Sequence, residues 1–296
     1  MNAPHDFRLD MRRVAAAFDR AAPSYDTHAV LQHTVAERML ERLDVLKICS
    51  ARLLDLGAGT GYAASLLRQR YPGSQVVLLD LSAGMLREAR KLASGATADR
   101  YIQANAESLP LAESCVDLLY SNLTLQWCND LDGAFREARR VLRSTGLILF
   151  STLGPGTLQE LRSSWAGVDG GTHVHAFMDM HDIGDGLIRA GFAAPVMDVE
   201  HFTLTYPGLD GLVRDLRALG AINASMNRRR GMTGRRQWRA LLEHYEAFRR
   251  DGVLPVTYEV VYGHAWVPAR GERPQDGSTV SFFPADQLRR ASWPRR

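Results

Sequence analysis

The stretch Arg52-Leu53-Leu54-Asp55-Leu56-Gly57-Ala58-Gly59-Thr60-Gly61 reads as a buried strand that runs into a glycine-rich turn. Its first five residues are mostly apolar around one carboxylate, the pattern of a parallel strand covered on both faces. Three glycines follow at alternate positions, and Tyr62 to Tyr71 then reads as a helix that Pro72-Gly73 ends. A turn of this kind lets a ligand approach backbone where any Cβ would collide. Tyr62 stands where a dinucleotide fingerprint would place its third glycine, so the pattern is G-x-G-x-G. That favours a nucleoside ligand without a pyrophosphate, and S-adenosylmethionine (SAM) fits. No G-x-x-x-x-G-K-[ST] occurs, which argues against a nucleoside triphosphatase.

A second strand, Gln75 to Asp80, ends on an acid about twenty residues further on, where doubly wound folds read ribose hydroxyls. A carboxylate there can accept from both hydroxyls. Asp80 could also cap the helix from Ser82 to Lys91, and the two roles are compatible. After a third strand at 101–104, Asn105-Ala106-Glu107 offers an acceptor for an adenine amino group, or forms an ordinary polar turn.

Strand and helix alternate beyond this: strand 116–121, helix 132–142, strand 146–152. Such alternation predicts a parallel sheet with helices on both faces and a ligand at the carboxyl ends of the strands. Two helices precede it, at about 11–20 and 30–46; Phe18, Tyr25 and Gln32 are placed there to cover the pocket, although Phe18 and Tyr25 could simply pack in the core. Beyond Gly154 the expected elements are helices 157–165, 181–190, 209–219 and 237–250 and strands 196–206 and 255–267. The last two strands could add antiparallel edges, with helices 209–219 and 237–250 as a cap. The expected organisation is therefore N-terminal lid helices (1–48), a nucleoside-binding core (49–153), sheet completion and substrate cap (154–268) and a loosely ordered tail (269–296).

Composition narrows the class. The chain has 296 residues, 46% of them hydrophobic and 23% charged, ordinary for a soluble globular protein. No apolar run approaches the ~18 residues of a membrane span. Met1 to Asp10 lacks the apolar centre of a signal peptide. Cys49, Cys115 and Cys128 show no paired spacing, which suits a reducing cytoplasm and argues against structural zinc. His173 and His175 stand two apart without a supporting cluster, so no metal is expected. A net charge of +3 is too small to imply nucleic acid. Its distribution is uneven: Arg214 to Arg250 holds ten arginines against Asp215, Glu243 and Glu246.

Over residues 11 to 268 these features resemble the class I SAM-dependent methyltransferases, whose fold is Rossmann-like. In detail they resemble the malonyl-[acyl-carrier protein] O-methyltransferases of biotin synthesis. The likeness rests on Phe18 with Tyr25-Asp26 and Leu31-Gln32, on Asp55 to Gly61, and on Asp80-Leu-Ser with Met85-Leu86. Ser121 to Cys128, Gly156 to Leu161, His173 to Phe177, Leu219 to Ala221 and Pro255 to Tyr258 extend it. It implies SAM as cofactor and S-adenosylhomocysteine as product. Tyr25, Gln32, Asp55, Gly57, Gly59, Gly61, Asp80, Leu81, Met85, Asn105, Ala106, Glu107 and Ser121 would then hold the cofactor. The family's Asp is replaced by Asn105, whose amide oxygen can still accept. A group of complex I assembly factors shares a Tyr-Pro-Gly segment like Tyr206-Pro207-Gly208 and includes a SAM-fold arginine hydroxylase. A methyltransferase acting on a quinone precursor is a further alternative.

Methyl transfer to a carboxylate needs positioning and no general base, because the acceptor is already ionised at neutral pH. The acceptor side is expected to use Phe18, Gln126, Trp127, His173 and Phe177. Arg214 and Arg217 are candidates to hold the carboxylate, unless they form a solvated face. Arg228, Arg229, Arg230, Arg235 and Arg236 are expected to dock an acidic acyl carrier protein.

Overall fold

A computed structural model describes residues 8–269 apart from 47, 49, 94–98 and 230. Cys49, Arg230 and the tail beyond residue 269 therefore lie outside the described residues. Nine α-helices and seven strands are described. The strands form one sheet in the order β3-β2-β1-β4-β5-β7-β6. They are β1 (Arg52–Leu56), β2 (Gln75–Asp80), β3 (Arg100–Gln103), β4 (Val116–Ser121), β5 (Leu142–Leu153), β6 (Ala193–Tyr206) and β7 (Leu254–Trp266). β1 to β5 pair in parallel, and β7 enters antiparallel between β5 and the edge strand β6. The two late strands thus complete the same sheet, and of these two β6 alone lies at an outer edge, opposite β3.

The helices are α1 (Met11–Ala21), α2 (Val30–Arg42), α3 (Tyr62–Arg70), α4 (Ala83–Leu92), α5 (Leu131–Val141), α6 (Gln159–Ala166), α7 (Met180–Arg189), α8 (Leu209–Ala218) and α9 (Arg235–Glu246). On one face of the sheet, Leu31, Val35 and Met39 of α2 share a core with Leu67, Leu161, Leu212, Leu241 and Tyr245. On the other, Phe135 of α5 and Ile183 and Leu187 of α7 pack on Leu54, Leu119 and Ile148. β1 contributes alternate residues to the two cores (Leu53 to one, Leu54 and Leu56 to the other), as the strand's two-residue period requires.

Two expected helices are longer than those observed. α2 stops at Arg42 because Leu43 N–H tightens onto the Leu40 carbonyl, an i to i−3 bond. α9 stops at Glu246, and the Arg249 guanidinium then ties Glu246, the Pro207 carbonyl and the Gly252 carbonyl into a turn. Arg235 and Arg236 open α9, two residues before its expected start.

Candidate functional site

The carboxyl ends of β1, β2, β3 and β4 open into a cavity of about 190 Å³ beneath α1 and α2. Gly57, Gly59 and Gly61 all take left-handed backbone (φ 75°, 54° and 85°), which lets the chain turn from β1 into α3 within five residues. Gly57 and Gly59 line the cavity; Gly61 begins α3 instead. A Cβ at Gly57 would run into the Thr124 side chain, whereas one at Gly59 would meet no protein atom within 4 Å. Open backbone on a cavity wall is what close approach of a ligand requires.

Asp80 closes the loop from β2. One carboxylate oxygen accepts from Gly59 N–H (2.9 Å) and the other from Ser82 N–H (2.7 Å). Ser82, not Asp80, caps α4, by accepting from Met85 N–H at 3.1 Å. Desolvation, with the charge of Asp19 added, pushes Asp80 up to about 6 despite the backbone donors. Leu81, Met85, Asn105 and Ala106 continue the wall. Tyr25 and Gln32 cover it from the N-terminal side, and Gln32 Oε1 is buried without a hydrogen-bond partner among the described residues.

Besides Gly61, three expected cofactor residues lie off the wall. Asp55 is buried under the loop, where it accepts from Ala64 N–H; burial and the charge of Asp80 raise it to about 7, against the pull of Arg68. Ser121 donates to the Leu56 carbonyl and ties β4 to β1 (2.9 Å). Glu107 turns away and accepts from Asn129 N–H at 2.6 Å.

The acceptor end is mostly apolar. Phe18 meets Trp127 edge-on at 5.2 Å, and His175 packs between Trp127 (5.1 Å) and Phe177 (4.7 Å). Gln126 is fixed by the Leu123 carbonyl and by Thr152. His173 also lines the cavity, but it is stacked on Trp165 at 3.6 Å and bonded to Asp169. Among the described residues no group of three or more His, Cys, Asp or Glu is placed to hold a metal. None of the described helices is long and apolar enough to cross a membrane.

Arg214 and Arg217 do not line this cavity. Leu216 and Leu219 of the same helical stretch do, and the rotation of 100° per residue turns both arginines outward. They line a separate groove with Val213, Thr233 and Trp238. Of the other expected docking residues, Arg228 donates to the Ser225 carbonyl and Arg229 pairs with Asp169, while Arg235 and Arg236 are exposed. Sequence reading missed His175, Tyr258 and Asn122 on the wall, and Leu123 and Leu158, which hold left-handed backbone there (φ 47° and 55°). The run Gly156 to Leu161 had signalled part of this. Gly156 N–H donates to Glu259, Thr157 exchanges hydrogen bonds with Glu259 backbone, and Glu160 accepts from Thr257 N–H.

The strand order, the single antiparallel β7 and the glycine loop beside Asp80 define a class I SAM-dependent methyltransferase fold, and a family model described as "Methyltransferase domain" matches residues 54–150. Among solved structures, the BH2331 protein of Bacillus halodurans has a TM-score of 0.58 at 19% identity, over 80% of this chain and 100% of that one. The [4+2]-cyclase SpnF scores 0.50 at 19% identity, over 80% and 82%, so the fold alone does not set the reaction. Curated relatives are far closer. The malonyl-[acyl-carrier protein] O-methyltransferase of Laribacter hongkongensis is 52% identical, over 94% of this chain and 97% of that protein. Those of Methylovorus sp. and Gallionella capsiferriformans are 51% identical (94% and 96% covered) and 50% identical (90% and 93% covered). The chain belongs to the malonyl-[acyl-carrier protein] O-methyltransferase family.

Proposed function

We propose that this enzyme methylates the free carboxylate of a malonyl thioester carried on acyl carrier protein, the ester that primes pimeloyl synthesis on the way to biotin. The observation that carries the reading is the match of about half the residues along nearly the whole length of relatives bearing that name. Those relatives favour neither the quinone nor the hydroxylase alternative.

The cavity is suited to this chemistry. When bound, SAM supplies an electrophilic methyl that a carboxylate oxygen can take up with no proton to move. At the acceptor end His175 is a poor base near neutrality, because burial, with the charge of Arg162 added, holds it down to about 4, and Asp80 stands at the ribose end. A nucleophile that arrives ionised fits such a wall, and a phenol does not. In this reading Asp80 holds the ribose hydroxyls, Asn105 and the amide of Ala106 meet adenine, and Tyr25 and Gln32 close over the amino-acid end. Phe18, Trp127 and Phe177 shape the acceptor end. We assign the exposed Arg214, Arg217, Arg235 and Arg236 to docking of an acidic carrier, since charge complementarity speeds such encounters.

The test is to incubate the protein with SAM and malonyl carrier protein and follow intact mass. One added methyl that mild alkali removes is expected. A methyl that survives alkali, or transfer to a quinone precursor alone, overturns the reading.

A further inference from the structure

We infer that His175 forms the end of the cavity that receives the acceptor's carboxylate through a hydrogen bond, and that Arg162, behind the wall, favours that anion through its charge. The inference deepens the proposed methyl transfer and rests on it. His175 is a buried wall residue whose Nε2 has no hydrogen-bond partner among the described residues. A polar atom left unpaired in such surroundings is costly unless a ligand meets it. Burial, with the charge of Arg162 added, keeps the ring uncharged at neutral pH, so it retains one N–H to donate.

Arg162 supplies the second observation. It is half-buried and donates to the Pro155 carbonyl (2.9 Å) and the Thr157 carbonyl (2.8 Å). No carboxylate pairs with it among the described residues, and desolvation lowers it with no acid to offset the effect. Two other partly buried arginines are neutralised, Arg68 by Asp99 and Arg140 by Glu137. A desolvated cation without a counter-ion favours an anionic ligand nearby. Its neighbours Leu158 and Leu161 line the cavity, and its field reaches His175.

The reaction itself favours a cation at one remove. An oxygen lone pair becomes the new O–CH3 bond, the S–CH3 pair passes to sulfur, and the carboxylate charge disappears. A guanidinium clamped directly on that oxygen would stabilise the ground state more than the transition state. An imidazole N–H can orient the carboxylate while the nearby cation selects an anion over a neutral acyl group.

The experiment compares dissociation constants of malonyl and acetyl carrier protein in the presence of S-adenosylhomocysteine. The wild-type protein should prefer malonyl at least tenfold. His175→Phe and Arg162→Met should each cut that preference below threefold by weakening malonyl, with acetyl carrier and SAM binding held within twofold. A purely structural role would weaken both carriers alike. If Arg162→Met fails to fold because two loop carbonyls lose their donor, His175→Phe and His175→Asn decide, since His175 Nε2 has no protein hydrogen bond to lose among the described residues. An unchanged preference in the folded variants overturns the inference. A wild-type protein that methylates no malonyl carrier overturns the proposed function instead.

Discussion

Asp80 shows how one carboxylate can organise a loop and still face a ligand. Its two oxygens already take Gly59 and Ser82 N–H, yet each keeps a lone pair for a ribose hydroxyl. Asp80→Ala should therefore cost ~2–4 kcal/mol of SAM affinity, two charge-assisted bonds, measured by calorimetry. Unchanged binding would remove Asp80 from the ribose site. A pH signature accompanies this. The free carboxyl sits at about 6, and ribose hydroxyls donate best to its ionised form. SAM affinity should be flat above that pH and fall by up to tenfold per unit below it, with a proton released on binding near pH 6. The contribution of the same group to apo stability has the opposite sign. A carboxyl raised in the fold favours the unfolded chain as pH climbs from about 4 to about 6, so stability drops there while binding improves. Calorimetry in buffers of different ionisation enthalpy separates the two effects; no proton release at pH 6 would refute the assignment.

At the scale of elements, the glycine loop was legible because every part of it is local. An apolar run, three glycines and an acid one strand later lie within thirty residues of sequence, and backbone geometry permits few other arrangements. What escaped depends on distance in sequence or on helical phase. Glu107 looked like a cofactor residue, but its partner is Asn129 in a later turn. Arg214 and Arg217 lie within two residues of the wall residue Leu216 yet face outward, and only packing on the sheet sets the rotation of α8. Gly156 to Leu161 was recognisable as a motif, yet its work of stitching the loop to β7 needs Glu259 and Thr257, about a hundred residues on. The glycines themselves can be told apart by substitution. Gly57→Ala carries ~1–2 kcal/mol of left-handed strain plus ~1–3 kcal/mol of overpacking against Thr124. Gly59→Ala carries the strain alone, because its Cβ would meet no protein atom. Denaturant unfolding should rank Gly57→Ala clearly the less stable, while calorimetry should find SAM binding impaired in a still-folded Gly59→Ala. Equal stability losses in the two variants would contradict this packing.

Across the whole molecule, the cavity is closed by segments far apart in the chain that depend on one another. Arg8 to Asp10 joins Ala224 to Met226 through Asp10 N–H to the Ala224 carbonyl (2.9 Å) and Met226 N–H to the Arg8 carbonyl (2.8 Å). Asn129 clamps the same segment from the core, accepting from Leu9 N–H at 2.7 Å and donating to its carbonyl at 3.1 Å. Above that clamp Leu9, Val14 and Ala224 form a small apolar cluster against which Phe18 and Trp127 pack. The start of α1, the 221–226 turn and the acceptor wall should then open as one unit. Asn129→Leu removes both side-chain bonds to Leu9 and should lower the local opening free energy by ~1–3 kcal/mol, with little change in global unfolding. Hydrogen exchange should show residues 8–18 and 222–226 losing protection together, and SAM dissociation should quicken. Both segments should regain protection when SAM is bound, because a ligand held beneath them adds its binding energy to the cost of opening. If residues 8–18 exchange freely while 222–226 stay protected, the two halves of the cover are independent, and access to the cavity is governed by the N-terminal segment alone.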